Sequence, residues 1–183
     1  MRCFCLALLV LAVATGCGGE TSTTAGGLPL LPRSALPRLA VTTTGVRASQ
    51  LASDFGRGRG LERRLERWGF IRGRERVFQG QSARIDRVVS RGLEFRRAAG
   101  ARRYVRYVGA HPATLYGVGS SAGALVSRGR SGFLVDTAAC ACHRAAPTWL
   151  GVVGRGRLVV WLEANGGAVD EAVLRSLLAS VPG

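Results

Sequence analysis

The sequence predicts a small α+β domain, an antiparallel sheet of hairpins with two or three helices packed mainly on one face. Helical periodicity recurs in three separate stretches, and the strand-like segments come in pairs joined by glycine-containing turns. Paired strands without long crossovers favour an antiparallel sheet. With 183 residues, the chain is long enough for one domain of ordinary size.

Three stretches show the period of an amphipathic helix. The first covers 61–68 and is followed by Gly69, a residue type that commonly terminates helices. The second covers 98–108 and cannot continue through Pro112, and the third covers 170–180. Their apolar positions are Leu61, Leu65 and Trp68; Ala98, Ala101, Tyr104, Val105 and Val108; and Val173, Leu174, Leu177 and Leu178.

Six segments have the composition of strands. The segment 85–95 carries apolar residues at odd positions, although Arg87 and Arg91 interrupt that face. The element order is therefore α-β-β-α-β-β-β-β-α, with hairpin turns at 128–130 and 154–157. The predicted strands are 76–80, 85–95, 125–127, 133–135, 150–153 and 158–162, and the predicted core residues are Phe95, Tyr104, Phe133, Trp149, Trp161 and Leu177.

The N-terminus carries the features of an export signal. An apolar run of about ten residues, 4–13, follows Met1 and Arg2, a length that fits a secretory signal and is too short to cross a bilayer. The run ends in Ala14-Thr15-Gly16-Cys17, in which small residues precede a cysteine. This pattern resembles the lipobox of bacterial lipoproteins, although alanine stands at position 14, where a leucine is usual.

The resemblance implies that residues 1–16 are a signal peptide and that Cys17 becomes the lipid-modified first residue of the mature chain. Diacylglyceryl and palmitate-type acyl chains would then hold the protein at the extracytoplasmic face of the cell membrane, since two or more chains anchor stably. The alternative is an ordinary secretory signal cut near Ala14 or Gly16.

The composition predicts a tether between this anchor and the folded domain. Residues 17–50 are rich in Gly, Thr and Pro, and Pro29, Pro32 and Pro37 prevent a continuous helix. The folded domain is accordingly expected at 51–183. A second interpretation takes 38–43 as a strand added at the edge of the sheet.

Arginine dominates the charge of the protein. All 26 cationic side chains are arginine, against 11 acids, and the segment 57–106 holds sixteen arginines and five acids. A hydrophobic content of 47% excludes a wholly disordered chain. At a cell envelope such a charge favours anionic polymers or lipid headgroups as partners, and no aromatic-interleaved basic stretch indicates specific nucleic-acid binding. Arg102, Arg103 and Arg106 share one side of the second helix and are the candidate anion-binding residues.

One cysteine cluster could support chemistry. Cys140, Cys142 and His143 lie almost adjacent in the sequence, and Cys140 and Cys142 are the cysteines that remain after export and lipidation. Three interpretations stay open: a disulfide, two ordinary thiols, or a soft-metal or redox site with His111 as a further ligand.

The stretch Gly119-Ser120-Ser121-Ala122-Gly123 matches the G-x-S-x-G pattern of a hydrolase nucleophile, followed in order by Asp136 and His143. That pattern requires a parallel strand before the serine and a helix after it, and glycines and arginines at 128–130 interrupt any such helix. The stretch is interpreted as a loop.

The sequence therefore predicts a membrane-anchored envelope lipoprotein, non-enzymatic and without a cofactor, that binds an anionic ligand or envelope partner. The alternative hypothesis is a thiol-redox or metal-handling envelope protein that uses Cys140, Cys142 and His143.

Overall fold

The computed structural model describes residues 27–56, 58–80, 85–112, 114, 121–127, 130–137 and 148–183, with only the backbone described for most of 121–137. The strands are β1 (Ala40–Val46), β2 (Phe70–Gln79), β3 (Arg87–Phe95), β4 (Ser121–Ser127), β5 (Arg130–Thr137), β6 (Thr148–Arg155) and β7 (Leu158–Asn165). The helices are α1 (Ala48–Asp54), α2 (Gly58–Arg67), α3 (Ala98–Gly109) and α4 (Glu171–Ser180), and a short 3-10 helix covers Arg33–Ala35.

The seven strands form one antiparallel sheet in the order β1-β2-β3-β7-β6-β5-β4. β1 to β3 form one meander and β4 to β7 a second, and the pairing of β3 with β7 joins them at the centre. The α+β class and the antiparallel sheet of hairpins predicted from the sequence are confirmed.

Three helices cover one face of this sheet, which we call the helix face. Apolar residues of α1, α2 and α3 pack there against side chains from the central strands. The buried members include three residues predicted for the core, Phe95, Tyr104 and Trp161. Placing most of the helices on one face agrees with the sequence prediction.

The opposite face is covered by α4 and by an extended N-terminal segment. We call residues 28–39 the strap and this side of the sheet the strap face. Leu31 and Leu39 of the strap pack with Phe78, Val160 and Leu174 in a second buried cluster. Leu177, predicted for the core, belongs to this cluster, and Trp149 packs partly buried against it. The side chain of Phe133 lies outside the described residues.

The strap corrects the predicted extent of the tether. Leu31 is fully buried, and its backbone N–H donates to the Ser90 hydroxyl at 2.8 Å. β1 then pairs along its whole length with β2, so the interpretation of this region as an edge strand holds and a boundary at residue 50 is wrong. Prolines prevent a helix but not an extended segment packed on a sheet.

Two further elements differ from the sequence prediction. β2 begins at Phe70 rather than at 76. The sequence prediction missed its first half because Arg72, Arg74 and Arg76 occupy one side of the strand, and alternating arginines are not typical of a sheet. α1 is not predicted from the sequence, since its seven residues are too few to show a helical period. Within the described ranges, no helix is long and apolar enough to cross a membrane.

Candidate functional site

The turn after α2 packs against the residues at which α3 begins. Gly69, with φ of +77°, ends the turn after α2, and its carbonyl accepts a hydrogen bond from the Arg96 N–H at 2.7 Å. Gly100, in the first turn of α3, lies so close to the Trp68 carbonyl that an added Cβ would be 1.9 Å from its oxygen. These contacts fix the end of α2 and the start of α3 relative to each other.

The end of α2 and the start of α3 form an open cleft of about 270 Å³ that is lined by arginines. Arg67 comes from the end of α2, Arg96 and Arg97 precede α3, and Arg103 lies one turn into it. All four side chains are exposed, and Glu66 is the acidic residue of the lining. The fold thus brings together cations from two parts of the sequence, the end of α2 and the start of α3.

The electrostatics of the cleft favour an anion. In the part of the chain that the structure describes, none of these four arginines forms an ion pair. Arg97 is the N-cap of α3 without a side-chain capping bond, and the first turn of the helix carries no acidic residue. The positive end of the helix dipole therefore adds to the guanidinium charges. Guanidinium groups bind carboxylates and phosphates through paired hydrogen bonds.

The structure brings together only part of the predicted anion-binding set. Arg103 lines the cleft, whereas Arg102 and Arg106 are exposed on α3 and do not contribute to its lining. Sequence reasoning missed Arg67, Arg96 and Arg97. The available signals were a pair of arginines immediately before a predicted helix and a third arginine just before a predicted helix stop.

A cluster of one arginine and two acids lies on the helix face, and its charges neutralise one another. The Arg91 side chain, 16% exposed, forms ion pairs with Asp54 at 2.5 Å and with Glu75. Its guanidinium carbon lies 5.4 Å from the centre of the Trp161 ring. Burial lowers the pKa of Arg91, but the carboxylates of Asp54 and Glu75 outweigh burial and raise it overall. This arginine is held within the domain rather than offered to a ligand.

Tyr104 lies beside this cluster and is completely buried. Burial raises the pKa of its hydroxyl above the ordinary range, although nearby Arg91 acts in the opposite direction. Among the described residues, neither the Tyr104 hydroxyl nor the Trp161 indole N–H has a hydrogen-bond partner.

His111 occupies a separate open cavity of about 320 Å³ between α2 and the end of α3. Its Nδ1 lies 2.7 Å from the Tyr107 carbonyl oxygen, and its ring stacks on that of Tyr107 with centroids 4.2 Å apart. The described residues contain no group of three His, Cys, Asp or Glu that could hold a metal ion. Cys140, Cys142 and His143 lie outside the described residues, so a disulfide or metal site there stays a prediction.

Ser121 is the first residue of β4, an antiparallel strand at the edge of the sheet. Its register partner in β5 is Asp136, and His143 lies outside the described residues. A nucleophile elbow needs a parallel strand that leads into a helix. The segment after the serine is a strand instead of a helix, and also differs from the loop predicted from the sequence.

No protein-family model matches this chain, and no curated protein matches it in sequence. Among solved structures, it is similar to the crystal structure of the extracellular domain of PknH from Mycobacterium tuberculosis, with a TM-score of 0.48 and 8% sequence identity. The similarity covers 80% of this chain and 87% of that one.

Proposed function

We propose that the protein is a membrane-anchored envelope lipoprotein whose domain binds an anionic ligand in the cleft at the start of α3, without catalysing a reaction. One observation carries this proposal. Four exposed arginines without ion-pair partners among the described residues converge on the N-terminus of a helix that has no acidic residue in its first turn.

The size and composition of the cleft narrow the ligand. Pockets for drug-sized molecules usually enclose about 300–1,000 Å³, and at about 270 Å³ this cleft suits a smaller group. A phosphate or a pair of linked phosphates presents oxygens to several guanidinium groups at once. Because arginine stays protonated at any physiological pH, the lining supplies charge and donors rather than a catalytic acid or base.

The compartment follows from the resemblance of Ala14 to Cys17 to a lipobox. A lipid on Cys17 would place the domain outside the cytoplasm, where phosphate-rich envelope polymers and anionic headgroups are the abundant polyanions. The arginine excess would then act on these partners rather than on nucleic acid.

Binding of inorganic pyrophosphate, measured by calorimetry, tests the cleft. We expect the double variant Arg96→Gln/Arg103→Gln to bind at least about tenfold more weakly, because hydrogen bonds to charged groups contribute about 1.5–3 kcal/mol each. Arg102→Gln/Arg106→Gln removes the same charge from the same region outside the cleft and serves as the matched control. Equal losses in the two variants would show that pyrophosphate responds to the overall charge, and the proposed cleft would be wrong.

A further inference from the structure

The strap brings the chain onto the middle of the strap face. A Cβ added at Gly92, in the centre of β3, would lie 2.7 Å from the Pro29 carbonyl oxygen and 3.0 Å from the Leu28 side chain. The chain therefore joins the folded unit over a central strand rather than at the edge of the sheet.

Arginines surround this point of entry. The alternation of β2 places Arg72, Arg74 and Arg76 on the same side as Phe78, which is buried on the strap face. The Arg76 guanidinium donates to the Leu31 carbonyl at 2.5 Å and so attaches the strap to β2. Arg33 and Arg38 of the strap are exposed.

Most of this charge is not neutralised within the domain. Arg33, Arg38 and Arg74 form no ion pair with any residue that the structure describes. Burial lowers the pKa of Arg76, and the positive charges of Arg33 and Arg74 lower it further.

Three acids of this face, Glu94, Asp170 and Glu171, interact within the domain, whereas Asp86, exposed two residues before Val88 of this face, forms no ion pair with a described residue. Glu94 is buried and pairs with Arg72 at 2.7 Å and with Arg157 at 3.1 Å. On α4, Glu171 pairs with Arg175 at 2.6 Å, and the carboxylate of Asp170 accepts a hydrogen bond from a backbone N–H of the first turn. The strap face therefore presents a net positive surface.

The short length of chain between Cys17 and the strap limits the orientations that the domain can take relative to the membrane. Ten residues, 18–27, separate them and reach at most about 36 Å when fully extended. A compact unit of the remaining 156 residues, 28–183, has a radius of gyration of about 15 Å, which for a sphere means a diameter of about 40 Å and a half-circumference of about 60 Å. A chain of ten residues therefore cannot run from the middle of the strap face around to the middle of the helix face.

We propose that the strap face, with Arg33, Arg38 and Arg74, docks on the anionic lipid headgroups of the membrane that holds the lipid anchor. This inference rests on the proposed lipidation of Cys17. Each arginine acts within a Debye length of about 8 Å of the surface. The docked orientation turns the helix face, with the arginine cleft at the start of α3, away from the membrane.

Arginine footprinting of the lipidated protein tests this orientation. The protein is reconstituted into vesicles of phosphatidylcholine alone or with phosphatidylglycerol, treated with a water-soluble dicarbonyl reagent, and analysed by mass spectrometry. We expect phosphatidylglycerol to protect Arg33, Arg38 and Arg74 and to leave Arg102 and Arg106 reactive. Equal reactivity in the two kinds of vesicle, or protection of Arg102 and Arg106 instead, would overturn the proposal.

Charge variants provide a second test that does not need the anchor. Unlipidated Cys17→Ala protein is mixed with phosphatidylglycerol vesicles, and sedimentation gives the partition coefficient. Each arginine near an anionic surface strengthens binding about fivefold, so Arg33→Gln/Arg74→Gln should bind about 30-fold more weakly. The matched control, Arg102→Gln/Arg106→Gln, should differ from the parent protein by less than about fivefold, and an equal loss in the two double variants would overturn the docking surface.

Separate measurements test the lipid anchor and the docking surface. Mass spectrometry of the exported protein shows whether Cys17 carries lipid, and an unmodified cysteine would end the anchoring proposal alone. Failure of footprinting on a correctly lipidated protein would end the docking proposal and leave the anchor standing.

Discussion

The two faces of the sheet bury different chemistry. On the helix face, aromatic rings pack in two groups, with centroids 5.6 Å apart between Phe95 and Tyr104 in one and 6.5 Å apart between Phe55 and Trp161 in the other. An arginine is held among them by two carboxylates. The strap face is mostly aliphatic, and exposed arginines surround its strap. Cations that are neutralised stabilise the domain, whereas those left without partners are available to anions outside it.

The largest loss of stability is expected when Arg91 is removed from the helix face. Arg91→Ala leaves Glu75 and Asp54 without their cation and removes the contact with Trp161. Glu75 is partly buried and Asp54 is exposed, so the cost lies below the about 3–5 kcal/mol of a fully buried ion pair. We expect the free energy of unfolding in urea to fall by about 2–3 kcal/mol.

The strap face supplies the control for this variant. Arg72 pairs with Glu94 but is 57% exposed, and Arg157 pairs with the same carboxylate. Arg72→Ala should therefore change the free energy of unfolding by less than about 1 kcal/mol. Similar losses in Arg72→Ala and Arg91→Ala would contradict the distinction between the two faces.

A smaller effect is expected where the strap is attached. Ser90 is completely buried, and Ser90→Ala leaves the Leu31 N–H without its acceptor, at a cost of about 1–3 kcal/mol. We expect the loss to appear as faster proteolysis within residues 28–39. Ser53→Ala, which removes an exposed hydrogen bond on α1, is the matched control and should leave the digestion pattern unchanged. A strap that stays equally resistant in both variants would show that this hydrogen bond does not hold it.

Tyr104→Phe should have the smallest effect at neutral pH. The substitution keeps the ring and removes a buried hydroxyl without a hydrogen-bond partner among the described residues, so we expect a change of less than about 1 kcal/mol. At alkaline pH the two proteins should diverge. The pKa of Tyr104 is higher in the folded than in the unfolded protein, where it is about 10.

The unfolded chain therefore loses this proton first, and stability falls as pH rises above about 10, by about 1.4 kcal/mol per pH unit. Tyr104→Phe should lack this component in urea unfolding at pH 9–11.5. Parallel pH profiles for the two proteins would contradict the burial of the ionisable hydroxyl.

Local patterns were sufficient where one element faces a single core. The period of Leu61 and Leu65 predicted α2 because one side of that helix is buried. The glycine-rich turn at 154–157 correctly predicted the β6–β7 hairpin, in which Gly156 has φ of +61°. Both features depend on neighbours within a few residues, which the sequence shows directly.

The sequence did not predict the strap or the cleft, because both depend on contacts between residues that are far apart in the chain. The strap has the composition of a linker, and its burial depends on Ser90 and Gly92, about 60 residues later in the chain. The cleft likewise depends on Gly69 and Gly100, which bring α2 and α3 close enough for Arg67 to approach Arg96. No spacing in the sequence encodes these distances.

The sequence by itself determined the α+β class, the antiparallel hairpins and the positive charge, because periodicity, turn residues and composition are local properties. It also supplied the lipobox-like motif on which the proposed envelope location rests. The tertiary structure decided which arginines are neutralised and which converge, since only the close packing of distant segments sets the distances between their charges. The same packing placed the strap on one face and the cleft on the other.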